Sequence, residues 1–271
     1  MKNSRHIVAA LISIAVCLHL WAGPAHAQET QEAMPMPDRK IIFIGDSRTV
    51  EMYGNVNQVN IAYDIFQEDI RGDFWSARIG AKYDWMTGTG VPVAEGQMTG
   101  DTAVVFLMGV NDCGTEDAAG MAMEYADYIN AKAEEWSIYG IETYFVSVNP
   151  INGDYWFYDI LFNNTSVEKF NSVMKAQLSD RVTYIDTYSQ IADSFISPDQ
   201  LHYEYSTYLE IYRLIMKALA EDLPAKDLAL RLKQAADPAR RAEALDRWQA
   251  ESLPEDSGNA LVYGSMAGLA G

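Results

Sequence analysis

The sequence predicts an α/β domain in which a parallel sheet of five strands carries helices on both faces. Three observations lead there. Short apolar runs recur at Ile41–Ile44, Phe74–Ile79, Thr102–Met108, Ile141–Val148 and Val182–Asp186. Between them lie segments with apolar residues at three- and four-residue steps, clearest at 117–139 and 166–178, the spacing of one helical face. The clearest run, Thr102–Met108, is continuous rather than alternating, as befits a central strand covered on both sides. Strands and helices in alternation pair in parallel, and in such sheets sites form beyond the carboxyl ends of the strands.

Taken in order, Ile41–Ile44 is a buried strand of mostly β-branched residues, broken by Gly45-Asp46-Ser47. Thr49–Tyr53 continues as a first helical turn. A serine there sits where the unpaired N–H groups of a helix start favour developing negative charge. Gly-Asp-Ser is equally an ordinary turn with a helix cap. The segment to about residue 72 shows little periodicity, and the second strand, Phe74–Ile79, stops at Gly80. Tyr83–Met86 starts a short helix that Gly88, Gly90 and Pro92 soon end. The third strand ends at Gly109. Met121, Tyr125, Tyr128, Ile129, Ala133 and Trp136 then form the inner face of the first long helix, which Gly140 closes. The fourth strand is closed by Asn149-Pro150, and residues 151–162 read as a loop dense in aromatics. A second helix, the fifth strand, a turn at Pro198–His202 and a closing helix from Ser206 to about Leu223 complete the domain.

The ends read differently. Lys2 and Arg5, the apolar run Ile7–Ala22 and the small-x-small Ala25-His26-Ala27 form a signal peptide over residues 1–27. This predicts a secreted or periplasmic protein, with a flexible lead-in at 28–39 and no membrane span. Residues 224–271 read as a helical appendage, with Asp237-Pro238 opening a second short helix, and a flexible tail. The appendage either packs on the domain or serves as a protein-binding arm. After cleavage Cys113 is the only cysteine and His202 the only histidine, which excludes an intrachain disulfide and any two-histidine metal site. A formal charge of −18 without a sizeable basic patch excludes a nucleic-acid surface.

Four pieces stand in chain order: Gly45-Asp46-Ser47, Gly80, Gly109-Val110-Asn111-Asp112 and Asp199-Gln200-Leu201-His202. Over residues 40–223 the chain resembles the SGNH or GDSL-like hydrolases. The resemblance implies a three-layer, flavodoxin-like α/β fold and a cofactor-free, metal-free site. Ser47 would be the nucleophile, His202 its general base and Asp199 the group that orients the imidazole. Ser47 N–H, Gly80 N–H and the Asn111 amide would form the oxyanion hole. Asp46 and Asp112 would position loops. Arg48 replaces the leucine of the name-giving motif, and its charge could touch an anionic substrate. Cys113 has no histidine left to activate it.

The activity implied is hydrolysis of short acyl esters, acetyl first, on cell-wall or extracellular carbohydrate or another acylated small molecule. Acyl transfer to a sugar on the same scaffold, or carbohydrate binding without turnover, are the alternatives. The aromatics of 151–162, with Trp75 and Trp85, are candidate sugar-stacking surfaces or simply core.

Overall fold

The computed structural model describes residues 36–114, 117–157 and 160–234. The predicted signal peptide, most of the lead-in and the tail beyond 234 lie outside them. The elements that matter to the site are β1 (Lys40–Gly45), α1 (Ser47–Asn57), β2 (Asp64–Glu68), β3 (Phe74–Arg78) and β4 (Thr102–Leu107). They are followed by α2 (Ala118–Ser137), β5 (Glu142–Val146), β6 (Tyr155–Phe157), β7 (Ile160–Phe162), α3 (Asn164–Gln177), β8 (Val182–Ile185) and α4 (Tyr205–Gln234).

All five expected strands pair in parallel, in the order β3-β1-β4-β5-β8. This is the flavodoxin-like order, with the switch point between β1 and β4. The sheet is larger than expected. A sixth strand, β2, adds antiparallel to β3 at the edge, so the sheet is mixed. The aromatic stretch expected to be a loop contains the hairpin β6–β7. The helix that begins at Tyr83, expected to end soon under Gly88, Gly90 and Pro92, runs on through a π turn (Met86–Gly90) into Val91–Glu95. Gly90 does not end it, since it keeps helical dihedrals of φ −59° and ψ −51°, and its missing side chain makes room for the Trp85 ring, 2.6 Å from where a Cβ would stand. Pro92 falls at the start of the following α segment, where a missing N–H costs little. The closing helix α4, expected from Ser206 to about Leu223, spans Tyr205–Gln234.

Strand periodicity divides the core between two faces. Ile42, Ile44, Val104, Phe106 and Phe145 meet Ala126, Ile129 and Trp136 of α2 and Phe170 and Met174 of α3. Ile41, Phe43, Trp75, Val105 and Tyr144 meet Val50 of α1 and Tyr208, Ile211, Ile215 and Leu219 of α4. Each such side chain, fully buried, contributes about 1.5–3 kcal/mol. The result is a three-layer α/β fold. Its registers align the strand ends, Gly45 standing opposite Ala77 and Leu107. The loops that follow β1, β3 and β4 therefore share one rim, and no helix of the described residues is long and apolar enough to cross a membrane.

Candidate active site

Ser47 opens α1 at this rim. Asp46 caps the helix, its Oδ1 accepting the Arg48 N–H at 3.0 Å. Thr49 Oγ1 donates to the Leu107 carbonyl at 2.9 Å and ties the turn to the end of β4. The Ser47 side chain is almost wholly buried, and its Oγ lies 3.0 Å from His202 Nε2. His202 Nδ1 lies 2.7 Å from Asp199 Oδ2. The turn that brings them together is built locally. Gln200 adopts a left-handed φ of 73°, and Asp199 Oδ1 accepts the N–H groups of Leu201 at 3.0 Å and His202 at 2.6 Å. Burial works to raise the Asp199 carboxyl, but the His202 ring, these two N–H groups and the nearby histidine charge hold it below the usual carboxylate range. An ionised Asp199 takes the Nδ1–H, which leaves the Nε2 lone pair facing Ser47.

Arg48 does not reach substrate space as expected. Its guanidinium is buried and fully engaged: Nε donates to Leu201 O at 3.0 Å, Nη1 to Asn149 O at 2.7 Å and Nη2 to Pro150 O at 3.3 Å. The Tyr203 ring lies 4.8 Å away. Arg48 thus joins the serine turn, the loop after β5 and the residue before His202. Asp46 sits buried beside it. Burial pushes the Asp46 carboxyl from 3.8 up to about 6, although the Arg48 charge and the Arg48 and Val110 N–H groups oppose the rise.

Gly80 follows β3 with φ +75°, a conformation only glycine adopts without strain. Nothing crowds its missing Cβ, so the backbone alone demands glycine there. Among the described residues neither the Ser47 nor the Gly80 N–H has a backbone acceptor outside regular structure. Asn111 Nδ2 donates to Ala81 O at 2.9 Å, which draws the loop after β4 onto the loop carrying Gly80 and leaves its second N–H available. Asp112 braces the same pair of loops, accepting from Tyr83 N at 3.0 Å and Tyr125 Oη at 2.7 Å. Cys113 is fully buried, and burial pushes its thiol well up, so it is no nucleophile.

Other features were not anticipated from the sequence. Glu51, one turn after Ser47 on α1, is half-buried and interacts electrostatically with His202 and Asp199; burial raises its carboxyl. Its i+4 spacing from Ser47 was a readable signal. Asn171 and Asn164 of α3 hold the loop after β5 by paired amide bonds to Val148 and Ile151. Trp75 and Trp85 are core residues, not sugar platforms: Trp75 stacks on Phe43 at 4.1 Å and Trp85 on Phe66 at 6.2 Å. Trp156 of the hairpin is 62% exposed.

No protein-family model matches the chain, and no curated protein sequence matches it. Solved structures do resemble it. One is a carbohydrate esterase family 3 protein from Talaromyces cellulolyticus, 14% identical, with 68% of this chain and 97% of that one covered and a TM-score of 0.48. A GDSL-like lipase from Bacteroides thetaiotaomicron is 14% identical over 68% and 88% of the two chains, with a TM-score of 0.49. The C-terminal catalytic domain of a Streptococcus pneumoniae peptidoglycan O-acetyltransferase is 16% identical over 70% and 94%, with a TM-score of 0.43. At these identities and scores the likeness is one of general architecture, and the chemistry has to be read from the chain's own site.

Proposed function

We propose that the chain is an exported serine esterase that cleaves short acyl esters, acetyl first, through an acyl-enzyme. One observation carries the reading: the unbroken line from Ser47 Oγ through the His202 ring to Asp199, at 3.0 and 2.7 Å. In the first half-reaction Ser47 Oγ attacks the ester carbonyl carbon while His202 Nε2 takes the hydroxyl proton. The carbonyl oxygen becomes an oxyanion, facing the N–H groups of Ser47, Gly80 and Asn111. Collapse breaks the bond to the alkoxy oxygen, which leaves as the alcohol with the proton held by His202. Water then adds to the acyl-enzyme, giving its proton to His202, and the second collapse returns that proton to Ser47 Oγ and frees the acid. Asp199 keeps the imidazole in the working tautomer and balances the imidazolium in each half. No metal or cofactor enters these steps.

The test is hydrolysis of p-nitrophenyl acetate. Wild type should turn over, whereas Ser47→Ala and His202→Ala should each lose essentially all activity. The double variant should be no worse than either, because the two groups act as one unit. Folded Ser47→Ala protein that works at the wild-type rate would remove the assignment. Product analysis with an added sugar acceptor separates hydrolysis from acyl transfer, since only the second half-reaction differs.

A further inference from the structure

Beside α1 lies an open groove of about 560 Å³, lined by Gly54, Asn55, Gln58, Val59, Asn60 and Tyr205. Its walls are the C-terminal end of the helix that Ser47 begins and the first residue of α4, three positions beyond His202. In a chain of charge −18, none of the six lining residues is charged. What they offer is three side-chain amides, an aromatic ring and an apolar edge. Tyr205 is 49% and Val59 46% exposed. Amides that donate and accept beside an exposed ring suit a neutral polyhydroxylated ligand, whose hydroxyls pair with the amides and whose C–H face lies on the ring.

The groove lies at the far end of the helix that Ser47 opens. Ser47, Glu51 and Asn55 follow one another at steps of four, one stripe along α1, and Gln58 caps the end of that helix. From Ser47 to Asn55 the helix rises about 12 Å, a distance that an oligosaccharide spans and a lone acetyl ester does not. Glu51, between them, interacts electrostatically with His202 and Asp199. Asn55 Nδ2 is held by the Glu51 carbonyl at 2.8 Å, which leaves its amide oxygen as an acceptor.

We propose that this groove is the subsite for the neutral sugar chain that carries the scissile ester. The proposal rests on the esterase reading for its chemistry but not for its binding, and the two fail separately. Gln58→Gly and Tyr205→Ala are the variants of choice. Gln58 has a φ of 54°, so glycine there removes the amide without straining the backbone. With a mono-O-acetylated neutral tetrasaccharide, KM should rise about tenfold in each variant, the loss of about one aromatic or polar contact. Turnover of p-nitrophenyl acetate should stay at the wild-type rate and so reports the fold. Equal effects on both esters, or on neither, overturn the subsite. If the wild type cleaves no ester, the esterase reading falls, and the groove is judged by binding alone. Ser47→Ala protein is then titrated with tetrasaccharides of β-1,4-linked glucose, xylose or N-acetylglucosamine. Shifts of the Asn55, Gln58 and Asn60 side-chain amide resonances with at least one support the groove; none with any of the three overturns it. Equal shifts with tetragalacturonate overturn the preference for neutral chains.

Discussion

A buried guanidinium placed next to Ser47 is costly unless its nitrogens find acceptors, and each of the three nitrogens of Arg48 donates to a main-chain carbonyl. Arg48→Ala leaves those carbonyls without a donor and removes the charge beside Asp46. The expected cost is about 3–5 kcal/mol of stability, read as a lower denaturation midpoint in urea. Arg48→Lys keeps the charge but not the planar fork. It should cost about 1–3 kcal/mol and lower kcat more than KM, because the lost contact holds the residue before His202 rather than substrate. Nothing in the sequence showed this, since its partners are carbonyls at 149, 150 and 201, about a hundred or more positions away. The order Ser47, Gly80, Asn111, Asp199, His202 was legible because each residue follows a strand end or a local turn. Asn111 carries two duties, a bond to Ala81 O and a free N–H. Asn111→Ala should therefore reduce kcat by about 10²–10³ and also cost about 1 kcal/mol of stability. An unchanged rate would make it only a loop tie.

At the scale of elements, α3 supports the site from behind through two asparagines seven residues apart, on one helical face. Asn171 accepts from Val148 N and donates to Val148 O, both at 2.8 Å, and Asn164 does the same for Ile151 at 2.8 and 3.0 Å. Each amide stands in for a neighbouring strand along the loop whose carbonyls Arg48 also uses. Asn171 is buried and Asn164 only half so. Asn171→Leu, close in size, strands a buried donor and a buried acceptor and should cost about 2–4 kcal/mol; Asn164→Ala should cost less, water replacing part of the loss. Thermal unfolding of the two variants measures the difference. The central strands were legible because both their faces are buried, which leaves continuous apolar runs. β2 was not, for only Ile65 of its five residues is buried and an edge strand needs no more. The hairpin β6–β7 hid in a run of aromatics whose alternation is too short to separate strand from loop. Nor could composition distinguish Trp75 and Trp85, which are core, from Trp156, which is exposed.

For the molecule as a whole, acidity and burial act on stability with one sign. Burial raises the carboxyls of Asp46, Asp73, Asp112 and Glu51, that of Asp46 to about 6. An acid whose folded value is raised binds its proton more tightly in the native state. The stability it lends is fully present below its unfolded value, 3.8 for Asp46, and is lost as pH rises through the folded one. For Asp46 this amounts to about 3 kcal/mol over the full window, roughly half of it regained at pH 5. A formal charge of −18 adds self-repulsion that protonation relieves. Asp199 has the opposite sign: its folded value is depressed, so its contribution is present above 3.8 and lost only as pH falls through that depressed value, outside the window. Stability should therefore increase as pH falls from 7.5 to 5. Melting temperatures over that range measure it. Asp46→Asn should flatten that profile. A wild-type melting temperature that drops toward pH 5 would show that the buried carboxylates are held ionised by partners stronger than burial.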